Sequence, residues 1–110
     1  DTHGYEWDIP AKHGWRYRDY LIRAFNADVP FQQLLLEHLA GDLLKEPRLG
    51  PAGLNESVVG PMALRLGERR HGDNEAVIAG GVTEEAMDNA IDTISKAFLG
   101  TTAACAQCHD

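Results

Sequence analysis

Thr83-Glu84-Glu85-Ala86-Met87-Asp88-Asn89-Ala90-Ile91-Asp92-Thr93-Ile94-Ser95-Lys96-Ala97-Phe98-Leu99-Gly100 is the stretch on which the fold class turns. Met87, Ala90, Ile91, Ile94, Ala97 and Phe98 recur with a helical period, which predicts a helix over 83–99 with these residues as its apolar stripe. Thr83 suits the N-cap, Glu84 and Glu85 suit the positive end of the helix dipole, Lys96 suits the last turn, and Gly100 suits termination.

Working outward, residues 15–27 place Tyr17, Leu21 and Ala24 on one helical face, with Ile22 and Phe25 adjoining it. Residues 26–30 read as a turn in which Asp28 caps the next helix and Pro30 occupies its first turn. That helix is predicted over 31–44, with Phe31, Leu34, Leu35, Leu39 and Leu43 as its apolar stripe. Residues 45–61 carry Pro47, Gly50, Pro51, Gly53, Gly60 and Pro61 and read as an irregular loop. A short helical turn is expected over 62–66, a second, polar and Gly-rich loop over 71–81, and a short final helix after Thr101 or Thr102. No segment alternates as a strand would. The expectation is an all-α fold, a small helical domain with long irregular loops, forming a single domain over 1–110.

Composition narrows the class of partner. Ten Lys and Arg against seventeen Asp and Glu give a net charge of −7, which argues against nucleic acid or an anionic membrane. No apolar stretch, Leu34-Leu35-Leu36 included, approaches the roughly 18–20 residues a membrane span needs. No basic segment followed by an apolar one opens the chain, so any export signal is expected to have been removed.

The two cysteines stand together in Cys105-Ala106-Gln107-Cys108-His109. A redox dithiol is expected after a buried strand, whereas helical periodicity precedes this pair. A structural zinc site wants four ligands, and this motif supplies three, leaving a distant His to complete it. Covalent haem accounts for all three chemical residues at once. Thiols at i and i+3 share a helical face and can form thioethers with two porphyrin vinyls, and His109 is then the proximal imidazole. Haem c attachment implies a periplasmic or extracellular address.

Larger blocks point the same way. Trp15-Arg16-Tyr17-Arg18-Asp19, Ala24-Phe25-Asn26-Ala27-Asp28-Val29-Pro30-Phe31, Glu37-His38-Leu39-Ala40-Gly41-Asp42-Leu43-Leu44 and Asn55-Glu56-Ser57 occur in order. They are followed by Asp88-Asn89-Ala90-Ile91-Asp92, Lys96-Ala97-Phe98-Leu99-Gly100-Thr101 and Cys105-Ala106-Gln107-Cys108-His109-Asp110. Together these resemble the planctomycete cytochrome c-like domain over nearly the whole chain. The resemblance implies a haem-binding unit of large exported bacterial proteins, and it implies no particular reaction. Members of that family begin upstream of Thr2-His3-Gly4-Tyr5-Glu6 and continue beyond the haem motif into His-Lys-Phe-Asp, so this chain is expected to be a trimmed or minimal version. After Gly67-Glu68-Arg69-Arg70-His71 the family tends toward Ser-Pro-Val-Asp, where this chain has Gly72-Asp73-Asn74-Glu75.

The residue opposite His109 would decide the chemistry, because a second His, a Met or an open position give different iron sites. His71 alone reads as a solvated loop histidine, and its match to the family together with Gly67-Glu68 makes it the first candidate. Arg69 and Arg70 beside it can pair with haem propionates. His3 is the runner-up. His38, near the apolar stripe of its helix, reads as a core or boundary residue, and His13 before Gly14 as helix-entry punctuation. Met87 reads as packing and Met62 as a weaker ligand candidate. Trp7 and Trp15 can wall a haem but are each more simply core aromatics, and Asp88 and Asp92 read as a solvated face.

The leading expectation is a monohaem c-type cytochrome, an electron carrier rather than an enzyme, exchanging electrons with redox partner proteins. A haem edge left uncovered at the chain end would be an apolar patch for a neighbouring subunit, giving a homo-oligomer, polymer or filament in which haems exchange electrons. The alternatives are a five-coordinate haem enzyme or gas sensor, and a structural or interaction module holding zinc or no cofactor.

Overall fold

Tyr17, Tyr20, Leu21 and Ala24 stand at i, i+3, i+4 and i+7, and in the computed structural model, which describes residues 10–66 and 84–108, they form the inward face of helix α1, Gly14–Asn26. The helix opens on His13, which takes a left-handed conformation at φ 66° and turns the chain so that the Gly14 amide donates to Ala11 O at 2.9 Å. It closes in a Schellman motif. Val29 N donates to Ala24 O at 3.0 Å and Asp28 N to Phe25 O at 3.1 Å, with Asp28 left-handed at φ 50°. Asp28 therefore ends α1 instead of capping the following helix, and Pro30 occupies that N-cap. Ile22 and Phe25, expected beside the buried face, are 51% and 70% exposed.

Helix α2, Phe31–Ala40, keeps the expected period in a different phase. Its buried positions are Leu34, Glu37 and His38, continued by Gly41, again i, i+3, i+4 and i+7. Phe31 and Leu43, assigned to the stripe from sequence, are 63% and 77% exposed. The helix turned because its two polar residues find partners that its leucines do not need.

For Glu37, the cation and one hydroxyl come from the segment read as an irregular loop, and its other donors from the two helices. Glu37 and Glu56 are fully buried, as is Ser57. Arg48 forks onto Glu37, with Nε donating to Oε1 and Nη2 to Oε2, each at 2.8 Å. Tyr20 Oη donates to Oε2 at 2.7 Å, Gln33 Nε2 to Oε1 at 3.0 Å and Ser57 Oγ to Oε1 at 3.2 Å. Ser57 Oγ in turn accepts the Arg48 amide at 2.8 Å. A second fork joins Arg23 Nε and Nη2 to the two oxygens of Glu56 at 2.6 and 3.0 Å. An isolated antiparallel bridge between Leu49 and Asn55, with Gly50 N donating to Leu54 O at 2.8 Å, folds this segment back on itself. The chain then enters a 3₁₀ helix, Ser57–Arg65, longer than the turn expected over 62–66 and running through Pro61. Two glycines mark where backbones meet. A Cβ on Gly60 would strike the Glu37 carbonyl, and one on Gly41 would strike the Ser57 carbonyl.

Among the described residues the chain divides into two compact units, Ala11–Ala63 and a second that holds residues 10, 64–66 and 84–108. In the second, helix α3 runs over Glu84–Ile94 and continues as a π-helical turn, Ser95–Leu99. Gly100, at φ 64°, ends it as expected. The π turn inserts extra backbone after Ile94 and shifts the phase of the residues that follow. Ser95 is buried, while Met87 and Ile91 are 53% and 50% exposed. A 3₁₀ turn, Ala104–Gln107, follows. The fold is all-α, and among the described residues no strand extends beyond single bridges. None of the described helices is long and apolar enough to cross a membrane.

Burial raises the cost of charge on Glu37, and the hydrogen bonds from Arg48, Gln33 and Tyr20 outweigh it, lowering its pKa from 4.5 to about 2. A carboxylate whose folded pKa is depressed stabilises the fold above its unfolded pKa, and that stabilisation is lost as pH falls from 4.5 toward 2. The shift corresponds to about 3 kcal/mol. Glu37→Gln is expected to lower stability by about 3–5 kcal/mol at neutral pH and to flatten the acid limb of the unfolding profile, read by circular dichroism. Gly60→Ala is expected to lower the denaturation midpoint, at about 1–3 kcal/mol, by forcing α2 and the 3₁₀ helix apart.

Candidate functional site

Cys105 and Cys108 lie on the last described turn, and both are exposed free thiols. Their turn is 3₁₀, with Ala106 N donating to Ala103 O at 3.0 Å and Cys108 N to Cys105 O at 3.4 Å. Three residues per turn bring positions i and i+3 onto one side. The expected short final helix is present, and it presents two thiols one turn apart.

The turn hangs from α3 through Ser95. The Ser95 carbonyl accepts the amides of Gly100 and Thr101, the latter at 3.2 Å. The Ser95 hydroxyl donates to Asp92 O at 2.9 Å and accepts the Ala103 amide at 3.2 Å. Asp92 adds a side-chain bridge, with Oδ1 taking Thr102 Oγ1 at 3.2 Å and Oδ2 taking Lys96 Nζ at 2.5 Å. The Lys96 hydrogen bond, with help from Thr102, holds the Asp92 carboxyl below its usual range. Asp92, read from sequence as a solvated face, is thus a bridge between a helix and the turn that follows it.

His109, His71, Arg69, Arg70 and His3 lie outside the described residues, as do Trp7 and the Thr83 cap. The described candidates fall into place individually. His38 is buried, with Nδ1 donating to Leu34 O at 2.7 Å and Nε2 hydrogen-bonded to Tyr17 Oη at 2.8 Å. Its ring packs edge-on to Tyr17 and close to Tyr20, with centroids 5.7 and 5.9 Å away. It is a core histidine, and neither nitrogen can reach a metal without breaking a hydrogen bond. His13 punctuates the helix entry, as expected. Met62 is half-buried in the 3₁₀ helix, and Met87 is exposed on α3 instead of packed. Trp15 is 48% exposed, with the Arg16 guanidinium 5.5 Å from its ring centre. Among the described residues no three His, Cys, Asp or Glu side chains gather as a metal site.

Sequence reasoning passed over Arg48, Glu56, Ser57 and Ser95. Glu37 at i+3 from Leu34 was a visible sign, because a carboxylate in phase with a buried Leu requires a cation, and the loop ahead held Arg48. His38→Ala is expected to cost about 1–3 kcal/mol by orphaning the Tyr17 hydroxyl and opening a cavity, and to leave any bound chromophore's absorption spectrum unchanged.

Comparison with curated proteins and with solved structures gives no match. One family model matches residues 1–110, described as PSCyt2, protein of unknown function (DUF1549). It takes in both helices of the first unit, the Arg48–Glu37 and Arg23–Glu56 forks, and α3 with its thiol-bearing turn. The chain belongs to this PSCyt2 (DUF1549) family.

Proposed function

We propose that the protein is an exported monohaem c-type cytochrome that carries electrons, with haem attached through Cys105 and Cys108. The single observation carrying this reading is the thiol pair: two free, exposed cysteines one 3₁₀ turn apart and immediately before His109. A donor set of two thiols on one side of a turn fits double thioether attachment, in which each S–H adds across one vinyl group. When bound, haem supplies a reversible one-electron change at iron. The family designation is consistent with a cytochrome-like unit.

The chain's own residues would divide the work as follows. Cys105 and Cys108 anchor the porphyrin, and His109 donates an imidazole nitrogen to iron. His71, with His3 as runner-up, would supply a second ligand. Arg69 and Arg70 pair with the propionates. The net charge of −7 favours a redox partner with a basic docking face, and copies of this chain can cover one another's haem edges.

Expression in a host that exports and matures c-type cytochromes, followed by a pyridine haemochrome assay on the denatured protein, tests the reading. Covalent haem with a two-thioether spectrum is expected. Cys105→Ala or Cys108→Ala is expected to move the band to longer wavelength, since one vinyl stays unsaturated. Protein that matures without covalent haem overturns the proposal, and stoichiometric zinc in that protein would favour the interaction-module alternative. His71→Ala with an unchanged low-spin spectrum removes His71 as the opposite ligand.

A further inference from the structure

Ser95 bonds to the segment after α3 through both its carbonyl and its hydroxyl, and each of these bonds holds the chain leading to the cysteine turn. Its carbonyl accepts two successive amides, Gly100 and Thr101, and its hydroxyl accepts a third, Ala103. The residue is 5% exposed, so these bonds are shielded from competing water. The hydroxyl has its own hydrogen committed to Asp92 O, which aims its lone pair at Ala103 N. Ala103 is also the residue whose carbonyl starts the 3₁₀ turn by accepting the Ala106 amide. One hydroxyl therefore sets where the turn bearing Cys105 and Cys108 begins. The π-helical turn begins at Ser95, and its wide bond, from the Gly100 amide to the Ser95 carbonyl, is the first of the three.

We infer that Ser95, backed by Asp92 and Thr102, is a positioning residue that holds Cys105 and Cys108 in the geometry for capture of one ligand by both thiols. The inference rests on the haem reading for its purpose, but the geometry it claims belongs to the thiols alone and can be measured without haem. Double attachment is a two-step capture. The first thiol binds, and the second closes an intramolecular ring whose ease depends on the effective concentration the backbone gives it. Exposure of each thiol is independent of Ser95; their mutual placement is not.

The test uses the full chain, produced without haem attachment and kept reduced, and phenylarsine oxide, a trivalent arsenical that condenses with two thiols. Two As–S bonds form, the two S–H bonds and the As–O bond break, and the oxygen leaves as water. Iodoacetamide, which takes one thiol at a time, is the control. Ser95→Ala is expected to bind the arsenical about tenfold more weakly while its alkylation rate stays within about twofold of the unsubstituted chain. Ser95→Thr, which keeps the hydroxyl, is expected to restore tight binding. Unchanged arsenical binding in Ser95→Ala overturns the inference. If Ser95→Ala loses its helical circular dichroism, Thr102→Val decides, since it removes only the outer bond to Asp92. About threefold weaker binding supports the clamp, and unchanged binding overturns it. A haemochrome assay in parallel separates the two readings. Absence of covalent haem in the unsubstituted chain ends the electron-carrier proposal, whereas the arsenical contrast stands or falls on Ser95 alone.

Discussion

The Glu37 carboxylate is a charge placed where no water reaches it, and the first unit is arranged around keeping it there. Burying an ionised carboxylate costs several kcal/mol unless its lone pairs are filled. Here Arg48 donates twice as a parallel fork, and Tyr20, Gln33 and Ser57 add a bond each. These donors come from α1, α2, the segment after α2 and the start of the 3₁₀ helix. One anion thus ties together four stretches of chain that share little apolar surface. The Arg48 guanidinium also lies 5.4 Å from the centre of the Tyr20 ring, so the same cation closes over the aromatic part of the core.

The apolar contribution is correspondingly small. Tyr20, Ala24 and Leu34 form the buried cluster, with Tyr17, Leu21, Val29 and Val59 packed against it. The second fork, Arg23 on Glu56, repeats the device one turn further along α1. Gly60 and Gly41 let backbone approach backbone at the seams. Polar pairing of this kind makes geometry strict: a fork accepts one orientation, where a leucine pocket accepts several. The same strictness recurs in the second unit, where Ser95 gathers three amides of the turn leading to the cysteines.

Helix existence and period were legible in the residues, because amphipathic spacing at 3.6 leaves a strong signal in α1, α2 and α3. Gly100 as a terminator and His13 as an entry residue followed from backbone preference alone. The phase of α2 was not legible. Hydropathy ranks Phe31 and Leu39 above Glu37 and His38, yet the polar pair is inside, since its partners lie 11 to 21 residues away in sequence along with nearer ones. Asp28 shows the same limit on a smaller scale. Its type suits both an N-cap and a left-handed helix end, and only the Val29 contact with the core selects the second.

The cysteine spacing, and with it the candidate chemistry, came from sequence by itself, because covalent attachment depends on which residues stand three apart. What tertiary structure decided is how that spacing is held. Ser95, buried where a π-helical turn begins, gathers the amides of Gly100, Thr101 and Ala103, an arrangement no propensity scale encodes because it comes from closing hydrogen bonds across the Gly100–Ala103 corner. Local pattern fixes which helices form and, in α1, which side faces inward; in α2 that side is fixed by a buried carboxylate and imidazole, whose partners include residues distant in sequence and close only in the folded chain.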